Sequence, residues 1–203
     1  MGTDITQKGR TMKQTIFDGI LGGICIGLGC LGYISVDNPY MGAFLFCIGL
    51  VTICIMHWGL FTGYLCKSRS RKLIGWVLLG NVIGIYLTYI MGYLSGANLE
   101  KAYAIGQNKM SRPLHIPFVS GMLCEICIYI AVMGFQKSET EIGKLLSIIL
   151  GVMVFILCGF EHSIADLFYV PLISLKAIVF WIVVALGNVV GAFIMRLLDR
   201  RWI

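Results

Sequence analysis

Gly159-Phe160-Glu161-His162-Ser163-Ile164-Ala165-Asp166-Leu167-Phe168 sets a Glu, a His and an Asp inside a long apolar run. Apolar sequence leads into it from Ile142 and away from it as far as Leu186. Each flank is long enough to cross a bilayer core, which takes roughly 20 apolar residues. Ionisable groups at that depth are costly, and they persist where they line a cavity, a pathway or a protein interior. The competing reading places the three on an exposed loop just outside the membrane.

Composition decides in favour of the membrane. Of 203 residues 58% are apolar and only 13% charged, with a mean hydropathy of +0.88. A soluble domain carries roughly 25% charged residues. The fold class expected is therefore an all-α integral membrane protein. The net charge of +6 does not imply a nucleic-acid partner, because the basic residues are scattered between apolar runs. That distribution orients a chain in a bilayer. Residues 1–14 are polar and the first apolar run is long enough to remain as a helix, so no cleaved signal is expected. The eight cysteines lie mostly within apolar runs, where Cys behaves as a small apolar residue. Cys124-Glu125-Ile126-Cys127 has the CxxC form but lacks the second ligand pair that structural zinc needs. No metal and no cofactor is expected.

Six apolar segments follow: 16–36, 40–66, 73–94, 118–135, 142–171 and 175–198. The first is rich in Gly at three- and four-residue spacing, which suits close helix packing in lipid. The second is interrupted at His57-Trp58-Gly59-Leu60-Phe61-Thr62-Gly63 and the fifth at the opening stretch. Interrupted apolar segments mark broken helices that line a substrate path. Gly80-Asn81-Val82-Ile83-Gly84 in the third segment recurs as Gly187-Asn188-Val189-Val190-Gly191 in the sixth. Each string follows an interrupted segment. Three crossings per half turn the second half upside down, giving inverted three-helix repeats with broken helices 2 and 5. Asn81 and Asn188 are expected to bridge helices as structural supports. The chain then divides into a cytoplasmic N-terminal segment 1–15, a first repeat 16–94, an extracytoplasmic connection 95–117, a second repeat 118–198 and a cytoplasmic tail 199–203. With six crossings, 12 Lys and Arg fall on the side of both termini and 4 on the other. Both termini are therefore expected in the cytoplasm of a multi-pass cell-membrane protein.

These residues resemble the formate/nitrite transporter family. Residues 160–168 are similar to its signature, which usually ends in Asn-Met-Phe where this chain has Asp166-Leu167-Phe168. Leu60-Phe61-Thr62-Gly63 resembles the loop in its broken second helix, and Gly121-Met122-Leu123-Cys124 the start of its fourth helix. The two Gly-Asn-x-x-Gly strings resemble its third and sixth helices. The resemblance implies a homopentamer of aquaporin-like protomers, each with its own pore for small monovalent anions such as formate, nitrite or hydrosulfide. Transport would be channel-like or coupled to protons. By position, His162 resembles the central pore histidine and Thr62 the threonine facing it. Leu50, Leu60 and Phe155 match an inner constriction; Phe46, Phe61 and Ile128 an outer one. Lys109 matches a lysine of the outer vestibule, with Glu161 its partner. The chain departs from the family at Glu125, where the fourth helix usually has Asn, and at Gly59, where an acidic residue usually precedes Leu-Phe-Thr.

Physics gives these positions a function. A desolvated anion is costly, and less so once it takes up a proton. An imidazole with an ordinary pKa of about 6.5 exchanges protons near working pH. A basic outer mouth concentrates anions, and apolar rings exclude hydrated cations. Glu125 is expected either to pair with His162 and keep it protonated, or to be protonated itself and donate to the anion. Two other classes remain. A neutral-solute channel of aquaporin type would carry two Asn-Pro-Ala motifs, and the sequence has none. A membrane enzyme using His162 with Glu125 or Glu161 would need a nucleophile motif, a cofactor loop or a metal ligand set, and none is present.

Overall fold

The computed structural model describes residues 11–68 and 70–199. Expectations for residues 1–10, for Arg69 in the basic loop and for the tail from residue 200 lie outside the described residues. The described chain is all-helical. Its elements are α1 (Met12–Ile34), α2 (Pro39–Met56), α3 (Phe61–Lys67), α4 (Arg71–Leu94), α5 (Glu100–Ser111), α6 (His115–Lys137), α7 (Glu141–Leu157), α8 (Ser163–Tyr169) and α9 (Leu175–Leu198).

Local sequence explains most boundaries. Thr11 and Gln14 form a capping box at the start of α1. Asn38 caps α2 just ahead of Pro39. Ser70, Thr140 and Ser174 cap α4, α7 and α9. Each side-chain oxygen takes an N–H that a first helical turn leaves without a partner. Helices α1, α2, α4, α6 and α9 are long and apolar enough to cross a membrane. Helix α7 has 17 residues and continues through a break into α8, as α2 continues into α3.

The connection 95–117 holds more structure than its polar sequence announced. It contains α5, whose buried positions are Ala102 and Gly106. A helix that buries so few residues leaves almost no apolar period to read. Its end charges are nonetheless placed for the helix dipole, with Glu100 in the first turn and Lys109 in the last.

Two bundles meet along α2 and α7. Helices α1, α2 and α4 pack together, as do α6, α7 and α9. The short helices cross over: α3 packs on α9 and α6, while α8 packs on α4 and α1. The glycines of the repeated string explain the tight α1–α4 and α6–α9 pairs. A Cβ at Gly84 would lie 2.1 Å from Ile20 O, and one at Gly187 would lie 2.3 Å from Phe118 O. Only backbones without a Cβ approach this closely.

The burial pattern is the reverse of a soluble protein's. Phe44, Ile48, Leu150 and Phe193 are exposed, whereas Thr62, Asn81, Glu125, Glu161, His162, Asp166 and Asn188 are buried. Polar groups facing inward behind an apolar outer surface suit lipid as the solvent.

Candidate functional site

The site forms where the two breaks meet. Helix α2 leaves its regular path at His57, which has φ 56°, and α7 does so at Gly159, with φ 67°. In both, the next N–H reaches back five residues: Trp58 to Ile53 O at 3.0 Å and Phe160 to Phe155 O at 2.9 Å. The chain is extended through Leu60 and through His162, and helix resumes at Phe61 and at Ser163.

One asparagine clamps each break. Asn81 donates to Gly19 O at 2.7 Å and to Gly59 O at 2.9 Å, and accepts the Phe61 N–H at 2.7 Å. Asn188 donates to Gly121 O at 2.8 Å and to Glu161 O at 3.1 Å, and accepts the Ser163 N–H at 3.0 Å. Each amide ties backbone of its break that no helix satisfies to a carbonyl of the neighbouring helix. This is the structural role expected of the two residues.

The clamps bring Thr62 and His162 together across 100 residues of sequence. Thr62 Oγ1 lies 3.1 Å from His162 Nε2. On the other side of the ring, Nδ1 accepts the Ala165 N–H at 3.1 Å and so caps α8. A nitrogen that accepts carries no proton, so the proton of the ring belongs on Nε2, which then donates to Thr62. Phe155 stacks on the imidazole with centroids 5.7 Å apart, and Phe46 meets Phe155 edge to face at 6.0 Å. The resemblance had put Phe155 and Phe46 in opposite constrictions; the structure puts their rings in contact. Leu50, Leu60, Phe61 and Ile128 are buried in the same apolar cluster.

Glu125 departs from the first expectation. It does not pair with His162. Its side chain is fully buried, and Oε1 accepts the Cys66 thiol at 3.2 Å. An imidazole that accepts a backbone N–H at Nδ1 and donates to a threonine is neutral, so no carboxylate is holding it charged.

A cluster of charged groups covers the approach to His162 from α5. Lys109 donates to Glu161 and, at 2.9 Å, to Asp166. Arg112 lies 3.8 Å from Glu161. Burial alone would weaken the hold of Lys109 on its proton; Asp166 and Glu161 outweigh that and raise it above the ordinary lysine range. Asp166 as the second partner of Lys109 was not foreseen, although Asp at this position, where the resembled signature has Asn, was the available signal. A cavity of about 400 Å³ opens beside the cluster, lined by Tyr33, Lys101, Asn108, Lys109, Arg112 and Glu161 among others. His162 is not part of its wall and is 2% exposed. Among the described residues no group of His, Cys, Asp and Glu is arranged to hold a metal.

Comparison with known proteins identifies this arrangement. The formate/nitrite transporter family model matches residues 3–199. The chain belongs to the formate/nitrite transporter family. An uncharacterized transporter of Bacillus subtilis, YrhG, is 30% identical over 204 residues, covering 87% of this chain and 76% of its own. The formate channel FocA of Escherichia coli is 28% identical, covering 78% and 66%. A solved pentameric formate channel with formate bound superposes with a TM-score of 0.79 at 23% identity, covering 91% of this chain and 94% of that one. The fold of this family member is that of a multi-pass membrane transporter. Its helix breaks, its inward-facing His162 and its apolar exterior are the residues' own route to the same conclusion. Besides Asp166, sequence reading missed two further supports of the breaks. Trp181 donates to Ser163 O at 2.8 Å, and Arg196 donates to Leu65 O and Ser68 O at the end of α3.

Proposed function

We propose that the chain forms a transmembrane pathway for small monovalent anions that are conjugate bases of weak acids, formate, nitrite and hydrosulfide among them. Six crossings are read from the five long helices together with the broken α7–α8 unit. The two clamps support inverted three-helix repeats of aquaporin-like form, and the uneven spread of Lys and Arg supports both termini in the cytoplasm. The solved relative supports a homopentamer with one pathway per protomer. The protein acts as a pore in the bilayer and not as an enzyme.

The observation that carries this reading is the Thr62–His162 contact at the meeting point of the two breaks. There, the Nε2–H of a neutral imidazole and the hydroxyl of Thr62 are two donors without a net charge. An anion that replaces Thr62 as the partner of Nε2 gains a hydrogen bond in a dry site, where such bonds are strong. Phe155 and the surrounding apolar residues exclude hydrated cations. They also cover the imidazole in this conformation, so passage requires the rings to turn aside. Lys101, Lys109 and Arg112 at the cavity raise the local anion concentration. An anion that takes up a proton on its way through the site crosses as its neutral acid, which lowers the desolvation cost and makes flux respond to pH.

The test is uptake into liposomes across a panel of formate, nitrite, hydrosulfide and chloride at two pH values. Wild-type protein is expected to pass the weak-acid anions, and His162→Leu to abolish uptake while keeping the oligomer. Equal uptake by both proteins would sink the proposal.

A further inference from the structure

Glu125 lies midway along α6 and is fully buried. Oε1 has the Cys66 thiol, while Oε2 has no hydrogen-bond partner. Among the described residues no Lys, Arg or His forms an ion pair with it. The charged groups nearest its thiol partner are Lys67 and Arg196, at the C-terminal end of α3. From α9 the residue packed on Glu125 is Gly191, which carries no charge. Its own neighbour on α6 is the buried thiol of Cys124. An ionised carboxylate in these surroundings, with one weak thiol donor, is costly. A carboxylic acid is not. Protonated on Oε2, however, it is a donor with no acceptor in the protein, and an unmet donor is itself destabilising by about 1–3 kcal/mol.

The position of Cys66 says where an acceptor would come from. Thr62 and Cys66 are four residues apart on α3, hence on one face and about 6 Å apart along the axis. Thr62 faces His162. The Cys66 sulfur lies 3.3 Å from Thr62 O and 3.2 Å from Glu125 Oε1. The thiol has one proton and two acceptors to choose between. Glu125 therefore stands one turn of α3 beyond the imidazole contact, towards Lys67 and Ser68. Lys109 and the cavity lie at the other end of the broken-helix pair.

Resting on the anion-pathway reading, we propose that Glu125 is a proton-binding site of that pathway, which delivers its proton to a passing weak-acid anion. The Oε2–H bond breaks, its electron pair stays on Oε2, and the anion takes the proton to become its neutral acid. The Cys66 thiol then donates to the new carboxylate. A hydronium ion from the aqueous phase at the α3 C-terminal end restores the acid and leaves as water. The Asn that the family resemblance puts here has hydrogens to donate in a bond but no proton to give. Weak-acid anions profit from this step; chloride, the base of a strong acid, does not.

The experiment uses purified protein in liposomes with an internal pH dye, a clamped membrane potential and labelled formate, with protein-free vesicles and chloride as controls. Luminal acidification is read per formate taken up, so that a change in rate does not confuse the result. Wild-type protein is expected to bring in a proton with each formate. After the protein-free leak of neutral formic acid is subtracted, Glu125→Gln and Glu125→Asn are expected to lower that ratio well below one. An unchanged ratio in both variants overturns the role of Glu125 and leaves the anion pathway standing. Absence of wild-type uptake of formate, nitrite and hydrosulfide removes the pathway and this proposal together. Should the variants fail to assemble, infrared spectra of wild-type and Cys66→Ser protein decide. A protonated-carboxyl band that shifts when formate is added, and that moves in Cys66→Ser, is expected. A spectrum without such a band sinks the idea.

Discussion

The two helix breaks are built on one plan and equipped differently. His57, Gly59, Leu60 and Phe61 in the first correspond to Gly159, Glu161, His162 and Ser163 in the second, position for position. The backbone exit, the extended residue and the asparagine clamp are the same. The chemistry is not. The first break presents a glycine and a leucine where the second presents a carboxylate and an imidazole, and the second is covered by Lys109, which pairs with Glu161 and Asp166. The scaffold is thus duplicated while the buried acids and the central imidazole sit in one copy. The other copy contributes Thr62, a neutral partner, from the turn after its leucine.

That comparison can be broken at its clamps first. Asn188→Ala would orphan the Glu161 carbonyl and the Ser163 N–H, at about 1–3 kcal/mol for each group. Asn81→Ala would do the same to the Gly59 carbonyl and the Phe61 N–H. Both are expected to unfold early in thermal melts of detergent-purified protein, and by similar amounts. A mild loss in one alone would show that the two breaks are not equivalently held.

The charged cover should respond on one side only. Lys109→Met leaves Glu161 and Asp166 buried without their ammonium, a loss of about 3–5 kcal/mol for a broken buried pair. Adding Glu161→Gln and Asp166→Asn to the same protein is expected to recover most of the melting temperature. Failure of the triple variant to recover would mean that the lysine acts through packing and not through charge.

A smaller effect is expected where the breaks touch. Thr62→Val keeps the shape and removes the acceptor of His162 Nε2–H, which costs about 1–3 kcal/mol for an unmet buried donor. Thr62→Ser should be close to wild type in the same melt. The smallest effect belongs to the exit residues. Gly159→Ala has room for its Cβ but must adopt positive φ, at about 1–2 kcal/mol. A change to the melting temperature well beyond that would show that Gly159 does more than turn the chain.

The breaks were legible because polar residues and glycines interrupt apolar runs that are otherwise continuous, and the repeated Gly-Asn-x-x-Gly string tied the two together. His162 and Thr62 were legible through resemblance, and the charged pair of Lys109 and Glu161 likewise. Helix α5 was not, since one narrow buried face leaves a polar connection looking unstructured. The thiol of Cys66 beside Glu125 was not either, because a contact across 59 residues between helices from opposite halves has no local signature. The contact of Phe46 with Phe155 escaped for the same reason, as apolar positions along a helix align equally well one turn apart.

Taken alone, the order of residues determined that the chain is a multi-pass membrane protein, where two of its apolar runs break and which imidazole stands at the break. Those are consequences of local hydropathy, of interrupted runs and of repeated small-residue strings, all of which act within a turn or two of helix. Only the folded chain decided which nitrogen of His162 carries its proton, that Glu125 answers to a thiol and not to the imidazole, and that Lys109 stands between two acids. Those are distances between groups brought together by clamps far apart in sequence, and in a dry interior a difference of one bond sets which atom holds the charge.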